Sequence, residues 1–224
     1  MDLYDAMRTT AAIREFTSDP LPDDVLHRIL DHARFAPSGG NRQGVRLVLV
    51  RDRTIRERLA ELNQPGARRY AAQSAAGEVP WNSLQPPGPS AEQIAQTPVP
   101  RFFVEPVLTA AVVVVVLVDL AAIASTDQDL DRVGLISGAS VYPLVWNMLL
   151  AARAEGYGGT ITTMAVPEED AVLELLGAPP GHALACIVPL GKPVKQPTRL
   201  RRRPVEEFVT RERYDGEPFT LGGD

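Results

Sequence analysis

Ala110-Ala111-Val112-Val113-Val114-Val115-Val116-Leu117-Val118 decides the architecture of this 224-residue chain. Six of these nine apolar residues are valine, whose branched side chain suits a pleated strand better than a helix. A half-exposed strand alternates apolar and polar positions, so an unbroken run marks one covered on both faces. The greasy stretch from Val107 to Val118 is too short for a membrane helix, which needs about 20 residues. It therefore reads as the centre of a sheet with a layer of structure on each side.

Working outward, Val45–Val50 reads as a second strand and Arg53–Leu62 as a helix with a polar face. Residues 2–9 also read as helical. Pro20-Leu21-Pro22-Asp23-Asp24 has the chemistry of a helix start, with proline in the first turn and acids at the positive end. Val25, Leu26, Ile29, Leu30, Ala33 and Ala36 then recur at helical spacing, up to the stop at Pro37-Ser38-Gly39-Gly40. On the far side, Leu130–Ala154 reads as one long helix that is apolar nearly all round, with Val133, Leu135, Ile136, Val141, Leu144, Val145, Met148 and Leu149. Such a helix needs burial on every side, at a core or a subunit interface. Gly158–Thr162 and Leu184–Leu190 read as strands and Pro167–Leu176 as a helix, completing an α+β pattern without internal repeats.

The chain is expected to be a single domain, 1–224, carrying a C-terminal arm at 195–224. Eight of its 20 prolines lie between 64 and 106. That segment reads as an irregular lid or an excursion embracing a partner, with Trp81 and Phe102-Phe103 as packing anchors. Apolar residues make up 45% and charged residues 23%, with a net charge of −5, a balance that argues against a nucleic-acid partner. The single cysteine, Cys186, excludes an intrachain disulfide and a structural zinc site, so no metal is expected. Within Ala183–Val188 it reads as a buried strand residue. Met1–Asp5 carries no basic or apolar leader, which predicts a cytoplasmic protein without membrane attachment.

Four segments could carry chemistry. Asp5–Phe16 bears Arg8 and Arg14, which serve either as solvated charges or as donors to a phosphate or an electron-rich carbonyl. Ala36–Gln43 combines small residues with Ser38, Asn41 and Gln43, which is an ordinary connection or a cradle for a planar heterocycle. In Glu155–Thr160 an αL cap accounts for Gly156, whereas Gly158-Gly159 invites close approach of a ligand. Arg199–Phe208 holds four arginines in five positions, which match one discrete phosphate better than a nucleic acid. His27, His32 and His182 form no catalytic arrangement.

In order and spacing these segments resemble the nitroreductase family of flavin enzymes over nearly the whole chain. The Arg-x-Phe at 14–16 resembles the family's first FMN motif and Ala36-Pro37-Ser38-x-x-Asn41-x-Gln43 its second, the most specific match. Asn147, the Gly-Tyr-Gly-Gly-Thr turn, Val188–Pro193 and the closing Arg-Arg-Pro-Val-Glu-Glu-Phe-Val follow in the family's order. The resemblance implies a three-layer sandwich, a mostly antiparallel central sheet flanked by helices, in an intertwined homodimer with FMN at the subunit interface. It implies a cofactor site drawn from Arg8, Thr10, Arg14, Pro37, Ser38, Gly39, Asn41, Gln43, Gly158, Gly159, Thr160, Arg201, Arg202 and Arg203. Arg14 would lie near the flavin pyrimidine, Ser38 and Asn41 would come from the partner, Gly158-Gly159 would approach the ring by backbone, and the C-terminal arginines would hold the phosphate.

The implied reaction is ping-pong, with hydride passing from NADPH or NADH through flavin N5 to a small electron-poor acceptor (a nitroaromatic, quinone or enone). No side chain acts as nucleophile or general base, so no catalytic residue is expected. Two departures stand out. Thr10-Ala11-Ala12 replaces the family's Arg-Arg-Ser, removing two phosphate donors, and Gly44-Val45 replaces Pro-Trp. Three alternatives follow: another flavin chemistry on the fold, such as dehalogenation or flavin fragmentation; flavin binding or storage with little turnover; or a flavin-free phosphate-binding dimer.

Overall fold

Every residue from Val112 to Val116 is 0% exposed, and the layers that cover them define the molecule. The computed structural model describes residues 1–221. In chain order the helices and strands are α1 (Leu3–Thr9), α2 (Asp23–Ala33), β1 (Val45–Val50), α3 (Arg53–Leu62), α4 (Gln64–Ala75), α5 (Ala91–Gln96), α6 (Glu105–Thr109), β2 (Val112–Asp119), α7 (Tyr142–Ala154), β3 (Gly158–Gly159), α8 (Glu169–Leu175) and β4 (His182–Gly191). The four strands pair antiparallel in the order β1-β2-β4-β3. No helix among the described residues is long and apolar enough to cross a membrane.

Side chains on a strand alternate between faces, and here the alternation sorts the core into two halves. Val112, Val114, Val116 and Val118 pack with Leu26 and Ile29 of α2 and with Val145, Met148 and Leu149 of α7. Val113, Val115 and Leu117 pack with Leu59 of α3, Val107 of α6 and Val172 of α8. The result is the expected α+β three-layer sandwich. Between β2 and β4 the register shifts at Val116/Leu117, where Cys186 and then Leu184 are the partners and Ala185 is skipped. This bulge reverses the parity of β4, so Cys186 faces the α2–α7 layer while Leu184 joins the other. Arg56 of α3 ties the strand ends together, donating to the carbonyl oxygens of Val50, Ala110 and Ala111.

β1 and α3 occupy the residues expected of them, and Cys186 lies in its strand fully buried. Three expectations fail, the smallest being the strand expected over Gly158–Thr162, which spans only Gly158–Gly159, with Thr162 making an isolated bridge to Ile187. The long helix begins at Tyr142, not Leu130. The carboxylate of buried Asp127 accepts the backbone N–H of Leu135 at 2.7 Å and of Ile136 at 3.4 Å, drawing 130–136 into a loop. A short 3₁₀ turn, Ile136–Ser140, follows, and Pro143 sits in the first turn of α7. Proline is accepted in a helix's first turn but breaks its interior. The 64–106 segment is likewise not an irregular stretch, because it contains α4, α5 and α6. Pro65 and Pro106 open α4 and α6, and Ser90 with Gln93 forms a capping box for α5. Pro80, Pro86, Pro87 and Pro89 lie in the connection between α4 and α5.

Burial pushes the Cys186 thiol up to about 12. At pH 8 its thiolate fraction is then about one part in ten thousand. DTNB at pH 8 is expected to leave the native thiol unmodified over a period in which the guanidinium-unfolded chain reacts fully. Rapid native labelling would contradict this packing.

Candidate active site

Where α1 ends, Thr10 closes the helix, its backbone N–H and its hydroxyl both donating to the Ala6 carbonyl. Thr10 is 6% exposed, and its one hydroxyl proton is spent inside the chain. The following residues run extended beside β3. The Ile13 N–H donates to the Gly159 carbonyl at 2.9 Å, and Ala12 bridges Gly159 in parallel. An extended chain turns successive side chains to opposite sides. Ile13 is buried, so Arg14 projects the other way, its guanidinium carbon 5.9 Å from the Phe102 ring centroid.

Arg14 lines a cavity of about 200 Å³. Its other walls are Tyr70 of α4, Phe102 and Phe103, and the segment Thr160–Met164 beyond β3. The Thr162 backbone is paired with Ile187 in both directions, but its hydroxyl oxygen is buried without a hydrogen-bond partner. A second cavity, about 470 Å³, adjoins the first and shares Tyr70, Thr163 and Met164 with it. Gly66 lets α4 approach this segment, since a Cβ there would collide with the Met164 carbonyl.

The loop at 37–43 is tightly ordered from within. Ser38 accepts the Gln43 N–H at 3.0 Å through its hydroxyl, and Gly39 donates to the Ser140 hydroxyl. Gly40, Asn41 and Gln43 all have positive φ (61°, 52° and 52°), a conformation uncommon outside glycine and asparagine. The Gln43 amide donates to Asn41 Oδ1. Pro37, Ser38, Gly39, Asn41 and Gln43 are not among the residues lining the Arg14 cavity, while Gln43 lines a separate cavity beside β1 and His182. Gly44 admits the Asp119–Ala122 turn, because a Cβ there would stand 2.7 Å from the Ala122 methyl.

Of the expected site, one chain therefore brings together Arg14 and Thr160. Gly158 and Gly159 are adjacent but buried, and packing within the chain accounts for both. A Cβ on Gly158 would reach within 2.7 Å of the Ile13 side chain, and one on Gly159 within 2.6 Å of Leu190 and into the Pro189 carbonyl. Arg8 is exposed on the last turn of α1, and Arg201, Arg202 and Arg203 are exposed on an extended stretch. Arg202 donates to the Arg201 carbonyl at 2.7 Å. Sequence reasoning missed Tyr70, Tyr142, Thr162 and Met164, whose only common signal is position in space. It also missed Arg153 and Gln196, which converge on Thr9 at the foot of α1, donating to its hydroxyl and its carbonyl.

Comparison with known proteins bears on what this arrangement serves. The profile of the nitroreductase family matches residues 7–192. An NADH dehydrogenase of Thermus thermophilus is 28% identical over 209 residues, 93% of this chain and 95% of that protein. A Methanothermobacter thermautotrophicus protein is 30% identical over 67 residues, 30% of this chain and 35% of its own length. Among solved structures, the NADPH:FMN oxidoreductase of Vibrio harveyi, complexed with NAD+, superposes with a TM-score of 0.67 at 23% identity, covering 95% of this chain and 78% of that one. Iodotyrosine deiodinase bound to FMN and 3-iodo-L-tyrosine gives 0.66 at 20% identity, covering 95% and 99%.

Packing makes a prediction about β3 that does not involve any ligand. Gly159→Ala is expected to lower stability by about 2 kcal/mol or more in urea unfolding of the FMN-free protein, as overpacking does. An unchanged midpoint would return this glycine to a ligand-facing role.

Proposed function

The chain belongs to the nitroreductase family, and from that premise we propose that it is an FMN-dependent oxidoreductase that uses NAD(P)H to reduce a small electron-poor acceptor in a ping-pong cycle. The observation that carries this reading is the cavity shared by Arg14 and Thr160–Met164. Its donor set fits a flavin: a permanent cation on the rim, and in Thr162 a buried hydroxyl without a partner. When bound, FMN supplies two-electron transfer between nicotinamide and acceptor. Arg14 contributes a guanidinium that favours negative charge beside it. The rings of Tyr70, Phe102 and Phe103, stacked edge-on and tilted at 4.9 and 4.3 Å, form an apolar wall that keeps water from that side.

One copy supplies only part of the expected constellation, and a homodimer supplies the rest. The Pro37–Gln43 loop of a second copy would bring Ser38 and Asn41 to the Arg14 cavity. Exposed apolar groups support this: Leu3, Tyr4 and Met7 on α1 are 62%, 65% and 51% exposed, and Val205 and Phe208 on the C-terminal arm are 45% and 60% exposed. With the Thr10 hydroxyl turned inward and Ala11-Ala12 bearing no donors, the phosphate falls to Arg201–Arg203 and Arg8. The segment 64–106, with its helices α4, α5 and α6, would serve as the lid. A nicotinamide reductant suits a cytoplasmic location.

Purified protein mixed with FMN is expected to show protein-bound flavin bands that bleach on anaerobic addition of NADPH or NADH. Bands that persist with both would favour a flavin-binding protein or a different reductant, and absence of bound flavin would overturn the proposal. Arg14→Ala is expected to weaken FMN about 10-fold or more, the size of a charge-assisted contact, measured by quenching of flavin fluorescence. Unchanged affinity together with an unchanged rate of reduction would remove Arg14 from the site. Sedimentation at micromolar concentration should give twice the chain mass.

A further inference from the structure

The cavity of about 470 Å³ has walls of unusual composition. Trp81, Tyr70 and Tyr142 are aromatic, Met164 and Leu184 are apolar, and no charged residue lines it. It lies along β4 beyond the Thr162–Ile187 bridge, on the stretch that β3 does not reach, since β3 pairs with β4 only at Leu190 and Gly191. The skipped Ala185 of the bulge is part of its wall, with the Tyr142 hydroxyl donating to the Ala185 carbonyl at 3.4 Å. Bulges of this kind re-aim a strand toward a site.

Trp81 is the most deliberately placed of these residues. Its φ is 57°, a conformation that a bulky side chain avoids and that neighbours must hold. Gln73 of α4, 1% exposed, does so: its Oε1 accepts the Trp81 N–H at 3.1 Å. The Gln73 amide donates to Glu78 at 3.0 Å, and the other Glu78 oxygen accepts the Gly88 N–H at 2.8 Å. Both ends of the 78–88 loop are thereby staked to α4. Arg69, one turn before Gln73, lays its guanidinium 3.9 Å from the indole ring centroid and is not among the cavity's lining residues. Its Nε is buried without a hydrogen-bond partner, so the cation is spent on the ring rather than offered to a ligand.

We propose that this cavity is the acceptor site and that it selects an uncharged planar aromatic acceptor, stacked on Trp81. The inference rests on the oxidoreductase reading above and names the acceptor class for it. A neutral quinone or nitroarene meets aromatic faces on entry, and the Tyr70 and Thr163 hydroxyls are at hand for its oxygens. A carboxylate or sulfonate on the same ring would be desolvated with no cation in the wall to meet it, which is costly. The shared Tyr70, Thr163 and Met164 open this cavity onto the one that holds Arg14.

The chain has two tryptophans, so Trp146→Phe leaves Trp81 as the sole reporter. In that background the FMN-loaded protein is titrated with 1,4-naphthoquinone and with 1,4-naphthoquinone-2-sulfonate, following tryptophan quenching. Saturable quenching by the neutral quinone, with a Kd at least about 10-fold below that of the sulfonate, is the expected result. Equal affinities, or no saturation by the neutral quinone, would overturn the proposal. In the unmodified background, Trp81→Ala is expected to raise the KM for naphthoquinone about 10-fold, with Trp81→Phe largely restoring it. An unchanged KM in Trp81→Ala overturns the stacking role. If nicotinamide fails to reduce the flavin, the oxidoreductase reading falls, while the quenching titrations still decide the cavity.

Discussion

The valine strand β2 is the element that the remainder of the molecule exists to cover. Burying five consecutive valines completely requires an apolar layer above and below, because no polar face is available to meet water. Each valine contributes about 1.5–3 kcal/mol by leaving water, but only if α2 and α7 close one side and α3, α6 and α8 close the other. The antiparallel neighbours β1 and β4 then satisfy the backbone groups that burial would otherwise strand without partners. The site follows from that closure. The segment beyond β3 and the face of α4 meet at the rim of the sheet, where the layers stop.

Much of this frame was legible from local pattern alone. Val45–Val50 and Arg53–Leu62 declare themselves by composition and periodicity, and Cys186 by the apolar run around it. The false extension of α7 back to Leu130 arose because apolar residues alone cannot tell a helix from a packed loop. Pro143 was the sequence signal of the true start, and Asp127, the group that captures the loop, finds its partners in the Arg132 guanidinium and in backbone N–H groups eight and nine residues away. In the 64–106 segment the density of prolines suggested irregularity, whereas Pro65 and Pro106 sit where a helix tolerates them best.

The site was legible in part for a different reason. Arg14 could be read because its alternation with Ile13 is local, and the glycines of β3 because glycine is rare in strands. What Gly158 and Gly159 answer to, however, is the crowding of Ile13, Pro189 and Leu190, which no spacing rule reveals. Tyr70, Tyr142 and Met164 come from three distant stretches of chain and meet only once the sheet is closed. The Pro37–Gln43 loop and the Arg201–Arg203 stretch resemble the family's pattern and yet are not among the residues lining the Arg14 cavity of their own chain. Such a division is what a site completed by a second copy would require.

A strand made of nearly identical residues has a hidden weakness. Sliding β2 by two positions against either neighbour would place valine where valine had been along the middle of the strand, on the same face, leaving only Ala110-Ala111 and Asp119 at the ends of the run to oppose the slip. Hydrophobic pattern alone therefore leaves the pairing nearly degenerate. The bulge at Ala185 falls opposite Val116/Leu117, where the valine run gives way to leucine. Arg56, holding the carbonyls of Ala110 and Ala111 at the strand's entry, fixes the other end. The irregularity beside the aromatic cavity thus also marks the register, at the point where a uniform row of side chains first changes.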